Sequence, residues 1–148
     1  MATKTTHILK DLLDRMGFLD ANIQEQEAGG RVKVDVRVSD ARDLIGERGA
    51  TLSMLQHILR RIVAKHTFPT PLIDIDVNSY KRMREDVLSD FARDVGSRVR
   101  LEKKAVELDP MPAFDRRVIH LTLANFSDIT TESIGEGDAR YIVIRPYP

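Results

Sequence analysis

Between Arg31 and Val38 the chain reads RVKVDVRV, in which Val32, Val34, Val36 and Val38 alternate strictly with charged residues. Successive side chains of a strand point to opposite faces, so this run has one apolar face that must be covered. The preceding segment, Ala21 to Glu27, also reads as a strand and joins it through Gly29-Gly30. Paired glycines suit the two-residue hairpin turn, which needs left-handed backbone at both central positions.

Helical periods flank this hairpin. Thr6 to Met16 carries an apolar stripe of Ile8, Leu12, Leu13 and Met16, with Gly17 as its stop. After Ser39 the pattern predicts a short helix over Ala41 to Ile45, a turn over Gly46 to Gly49, and a long helix from Ala50 to about His66. Leu52, Leu55, Leu59, Ile62 and Val63 keep helical spacing there, while His57, Arg60, Arg61 and Lys65 fall elsewhere on its surface. Phe68-Pro69-Thr70-Pro71 ends the helix, and Leu72 to Val77 alternates as a strand.

A second unit follows. Met83, Val87, Phe91, Val95 and Val99, each four apart, predict a helix from Tyr80 to about Arg100 with these residues inward. Val106 to Leu108 reads as a short strand, and Pro112 opens a helix to about Ala124 with Phe114, Val118 and Leu121 inward. Ile129 to Ser133 and Arg140 to Ile144 form a closing hairpin around Gly135 to Asp138. The fold class expected is α+β in two units.

Composition narrows the function. Twenty-three basic residues balance 23 acidic ones, which counts against binding driven by bulk attraction to phosphate. Charge is nonetheless segregated: from Arg48 to Ile73 there are Arg48, Arg60, Arg61 and Lys65 and no acid, and from Arg98 to Lys104 four basic residues face only Glu102. Either patch reads equally as a solvated helix face. The absence of cysteine removes disulfides, thiolate metal sites and cysteine nucleophiles. With no signal-peptide core and no membrane span, a cytoplasmic location without membrane insertion is expected. His7, His57, His66 and His120 show neither H-E-x-x-H nor other metal-binding spacing, and no G-x-S-x-G elbow occurs. No catalytic residue, metal or cofactor is expected.

The stretch LIGERGATL, residues 44 to 52, carries more. A G-x-x-G match means little alone, but here it joins two helices, and the second starts right after Gly49. Unpaired N–H groups and the positive end of the helix dipole therefore face the turn, and glycine lets a nucleic-acid backbone approach without a Cβ in the way. KH domains clamp single-stranded backbones with such a loop. The other reading is a plain helix-to-helix turn. Without Lys-Ser/Thr after its second glycine it is not a Walker nucleotide loop.

Residues 1–78 resemble a KH domain in the bacterial type II order, helix-strand-strand-helix-helix-strand. Residues 79–148 resemble the small single-stranded nucleic-acid-binding domain named R-3-H for an arginine and a histidine separated by three residues. That pair is Arg116 and His120 in FDRRVIHLTL, followed by TTESIGEG at Thr130 to Gly137. KH followed directly by R-3-H is the arrangement of the Jag family. Many members carry an additional N-terminal Jag domain, which this sequence, starting almost at the KH helix, is expected to lack.

The resemblance implies binding of single-stranded RNA, with single-stranded DNA as a second ligand, in bacterial post-transcriptional regulation. Backbone would lie over Gly46, Glu47, Arg48 and Gly49, with bases against Ile45, and Arg116, Arg117 and His120 would extend the contact. Arg60, Arg61 and Lys65 are weaker candidates. Glu47 repels phosphate and Arg48 offsets it in part. Arg116 and His120 lie four apart on one helix face, a fork of donors beside an imidazole able to stack on a base. Replacing Gly46 and Gly49 by aspartate should then abolish binding and spare the fold. The alternative is an adaptor whose KH surface pairs with another KH protein or a second copy, with little nucleic-acid affinity.

Overall fold

The computed structural model describes residues 3–148. They divide into two compact units between Lys81 and Arg82.

In the first unit, α1 (Lys4–Arg15) ends where Gly17 takes φ +94°. The Phe18 N–H then donates to the Leu13 carbonyl at 2.9 Å and the Gly17 N–H to Asp14 at 3.1 Å, the paired bonds of a Schellman stop. Strands β1 (Asn22–Ala28) and β2 (Arg31–Arg37) pair antiparallel, with Ala28 opposite Arg31. Gly29 and Gly30 both take positive φ, as the tight turn requires. The chain crosses back through α2 (Arg42–Ile45), a 3₁₀ turn (Glu47–Gly49) and α3 (Ala50–Ala64) to β3 (Leu72–Val77), which pairs parallel to β2. Parallel neighbours need such a crossover, and it covers the sheet.

Val32, Val34 and Val36 are buried with Ile73, Ile75 and Val77 against Leu9, Leu13, Leu44, Leu52, Leu55, Leu59 and Val63. Two side chains of α3 also cover the outer edge of β3: Arg60 Nε donates to the Ile73 carbonyl at 2.7 Å, and Gln56 Oε1 accepts from the Ile75 N–H at 2.8 Å. Asn78, at φ 50°, extends the sheet, its amide bonding both the N–H and the carbonyl of Val38.

In the second unit, α4 (Tyr80–Glu102, whose first two residues belong to the first unit) and α5 (Ala113–Leu123) pack on β4 (Val106–Glu107), β5 (Ile129–Ile134) and β6 (Tyr141–Pro146). The strand order is β4-β6-β5, both pairings antiparallel. Gly96 lets α4 approach closely, since a Cβ there would lie 2.9 Å from Leu123 Cδ2.

Several residues expected inward are on the surface. Met83, Val87 and Phe91 are 64, 60 and 44 % exposed, and the α4 core residues are Leu88, Ala92, Val95, Gly96 and Val99. A spacing of four advances about 40° around a helix at each step, so a series of five leaves the buried face. Leu121 is 63 % exposed, its place taken by Val118, Ile119 and Leu123, and Met16, beyond the last turn of α1, yields to Leu9. Among the described residues no helix is long and apolar enough to cross a membrane.

Candidate nucleic-acid interface

In the first unit, Ile45 is the last residue of α2, Gly46 follows it, and Glu47, Arg48 and Gly49 make the 3₁₀ turn. Gly46 takes φ 73° and ψ 178°, a region open essentially to glycine alone, and Arg48 and Gly49 take left-handed φ of 51° and 77°. Both glycines are filled against from within. A Cβ on Gly46 would stand 2.8 Å from the Thr51 backbone nitrogen, and one on Gly49 would stand 2.9 Å from the Tyr80 ring.

The glycines are thus required by the fold itself, independently of any ligand. The double aspartate change would break the loop, because its cost comes from backbone conformation and packing at a loop that borders the core. Glu47 and Arg48 are exposed between the glycines. Beside the loop lies an open groove of about 600 Å³, lined by Ser39, Asp40, Ala41, Arg42, Ile45, Gly46 and Tyr80. Arg42 is committed to Asp40 through Nε at 3.1 Å and Nη2 at 2.9 Å, and these bonds hold the Asp40 carboxyl at about 2. Tyr80, the aromatic wall of the groove, has no signal in the loop motif because it follows β3.

Of the weaker candidates, Arg60 is tied to β3 as described, while Arg61 and Lys65 are exposed on α3. In the second patch, Arg100 pairs with Asp128 at 2.6 Å and lies 5.3 Å from the Phe126 ring centroid.

In the second unit, Pro112 occupies the N-cap of α5 with φ −60°. Arg116 and His120, one turn apart, share a face of the helix. Arg116 Nη1 donates to the Met111 carbonyl at 2.7 Å, and Arg117 is exposed. His120 Nδ1 lies 2.6 Å from the Thr131 hydroxyl on β5. Two residues along that strand, Ser133 accepts from Arg140 Nε at 2.7 Å, and Arg140 Nη1 reaches the Gly135 carbonyl at 3.4 Å.

Burial lowers the His120 pKa, and the charges of Arg116 and Arg140 lower it further. Its ring is therefore neutral near pH 7, suited to stacking and to a single N–H donor. Asp115, beside Arg116 in sequence, is 1 % exposed and bound to Arg84 Nη2 at 2.7 Å, so it braces α5 against α4 and is withdrawn from the surface. Arg140 has no local signal in the sequence, because only the β5–β6 pairing brings it to α5.

Such a helix face set against a hairpin is that of an R-3-H domain, whose family model matches residues 86–146. The chain belongs to the Jag family: it is 30 % identical over 142 residues to the RNA-binding protein KhpB of Clostridium symbiosum, a match covering 95 % of this chain and 64 % of that one. It is 31 % identical over 126 residues to the RNA-binding protein KhpB of Bacillus subtilis (strain 168), covering 84 % and 61 %. A third relative, the RNA-binding protein KhpB of Streptococcus pneumoniae, is 24 % identical over 144 residues, covering 97 % and 44 %. The chain spans less than two thirds of the length of each of these relatives.

Proposed function

We propose that the chain binds single-stranded RNA, with single-stranded DNA as a weaker ligand, in bacterial post-transcriptional regulation in the cytoplasm. In this reading residues 1–78 are a KH domain of type II order and residues 79–148 an R-3-H domain. The observation that carries it is Arg116 beside His120 on one face of α5, within the span matched by the R-3-H family model. The guanidinium is anchored by a carbonyl and not a carboxylate, so its charge is left for an anion, while the neutral imidazole offers a ring to a base.

The names of the relatives, RNA-binding proteins, favour RNA over DNA. For the first unit the support is the element order helix-strand-strand-helix-helix-strand, with a GERG loop between the second and third helices. Arg48 and the N-terminal N–H groups of α3 meet phosphate there, and Ile45 and Tyr80 offer apolar surface to bases. Arg61 and Lys65 add general attraction. Neither unit supplies a reacting group, so the proposed role is binding without catalysis.

The test is fluorescence anisotropy of a labelled single-stranded RNA of about a dozen nucleotides, titrated at several salt concentrations. About three to five neutralised phosphates give a log–log slope near −2 to −3.5. Arg116→Ala with His120→Ala should weaken single strands more than duplex. Absence of binding at low salt, or equal losses on single strand and duplex, refutes the reading.

A further inference from the structure

Four arginines of the second unit are spent on acids: Arg84 on Asp115, Arg93 on Asp90, Arg100 on Asp128 and Arg145 on Glu132. Arg116 and Arg140 differ. Each is fixed by neutral oxygens alone, Arg116 by the Met111 carbonyl, Arg140 by the Ser133 hydroxyl and the Gly135 carbonyl. Neither forms an ion pair among the described residues. Hydrogen bonds to neutral acceptors order a guanidinium without cancelling its charge, and two such groups beside one imidazole are laid out for an anion.

Strand geometry relates them. Thr131 and Ser133 are alternate residues of β5, so their hydroxyls leave the same face about 7 Å apart. His120 is held at the first hydroxyl and Arg140 at the second. The two ligand-facing groups are therefore neighbours along the strand direction, although one comes from a helix and the other follows the hairpin turn. Arg140 also stands close enough to His120 to affect its protonation, as Arg116 does.

We propose that Arg140 is a third nucleic-acid contact of this domain, gripping a phosphate of the same single strand that touches Arg116 and His120, with Ser133 presetting its guanidinium. The β5–β6 hairpin is then part of the binding surface, and the strand runs from α5 onto β5. Planar, bidentate geometry makes arginine the appropriate residue, and lysine replaces its charge but not its fork.

This inference rests on the single-strand-binding reading above. Its first test uses the unaltered full chain: the Arg140 Nε–H signal is followed by NMR during titration with the single-stranded RNA of about a dozen nucleotides. It should shift along the same saturation curve as the His120 ring protons. Second, Arg140→Gln should weaken binding about tenfold near 0.1 M salt and flatten the log–log salt slope by about 0.7, one phosphate contact on a single strand. Arg140→Lys should keep the slope and recover part of the affinity. If His120 and Arg116 respond to RNA while Arg140 does not, and the Arg140 variants bind as the parent, the third contact is overturned and the reading of the domain stands. If no group on α5 responds to RNA, the reading itself fails.

Discussion

Replacing Gly46 by alanine isolates what the GERG loop costs to build. Alanine at φ 73°, ψ 178° occupies a region that only glycine enters freely, a strain of about 1–3 kcal/mol. Its Cβ would also lie 2.8 Å from the Thr51 backbone nitrogen, an atom that cannot rotate aside within α3, and such overpacking costs about 1–3 kcal/mol more. The sum, about 2–5 kcal/mol, is a large part of the stability of a typical domain.

Gly29→Ala is the control. Gly29 has φ +56° with nothing within 4 Å of an added Cβ, so only the left-handed penalty of about 1–2 kcal/mol applies. Urea denaturation, followed by amide-exchange protection at Val34 and Ile75, reads the first unit separately. Equal losses in the two variants would refute the steric account of Gly46. A greater loss at Gly46 means that binding tests at this loop belong at Glu47 and Arg48, whose side chains are exposed.

The second unit yields two more tests. Arg84→Met leaves the Asp115 carboxylate buried without its cation, and thermal denaturation should show a loss of about 3 kcal/mol, the lower end for breaking a buried pair; a change within about 0.5 kcal/mol would sink the bracing role. His120 should titrate below the ordinary 6.5 by NMR, and Arg140→Gln should move it upward. Because its folded value lies below the unfolded one, the unfolded chain binds more protons in the interval between them. Stability is therefore unaffected above about 6.5 and falls as pH drops through that interval; stability rising on acidification there would contradict the assignment.

Strand periodicity proved the more legible signal. Val32, Val34 and Val36 are all buried, because a period of two stays in phase with the strand over its whole length. On α4 the eye follows residues four apart, while the helix repeats every 3.6, and Met83, Val87 and Phe91 drift into solvent. Gly96 carries no apolar signal at all, yet it is buried because a small residue is what lets α4 approach Leu123.

The candidate site was readable where its residues are close in sequence, as with Arg116 and His120, or Ile45 through Gly49. Arg140 and Tyr80 reach their places through tertiary pairing, which no local spacing records. In the sequence the loop glycines suggest space left for a ligand. Thr51 and Tyr80 already occupy the sides their missing Cβ atoms would have taken.

The side-chain cover on β3 bears on how this protein avoids its own kind. An open parallel edge offers a ready ladder to any extended segment, from a nascent chain or a neighbouring molecule. With Arg60 on the Ile73 carbonyl and Gln56 on the Ile75 N–H, an incoming strand must first displace two bonds already satisfied from α3. Arg60 thus acts as a gatekeeper against sheet extension, and an Arg60→Ala, Gln56→Ala pair would be expected to leave the helix in place and the molecule more prone to associate edge to edge.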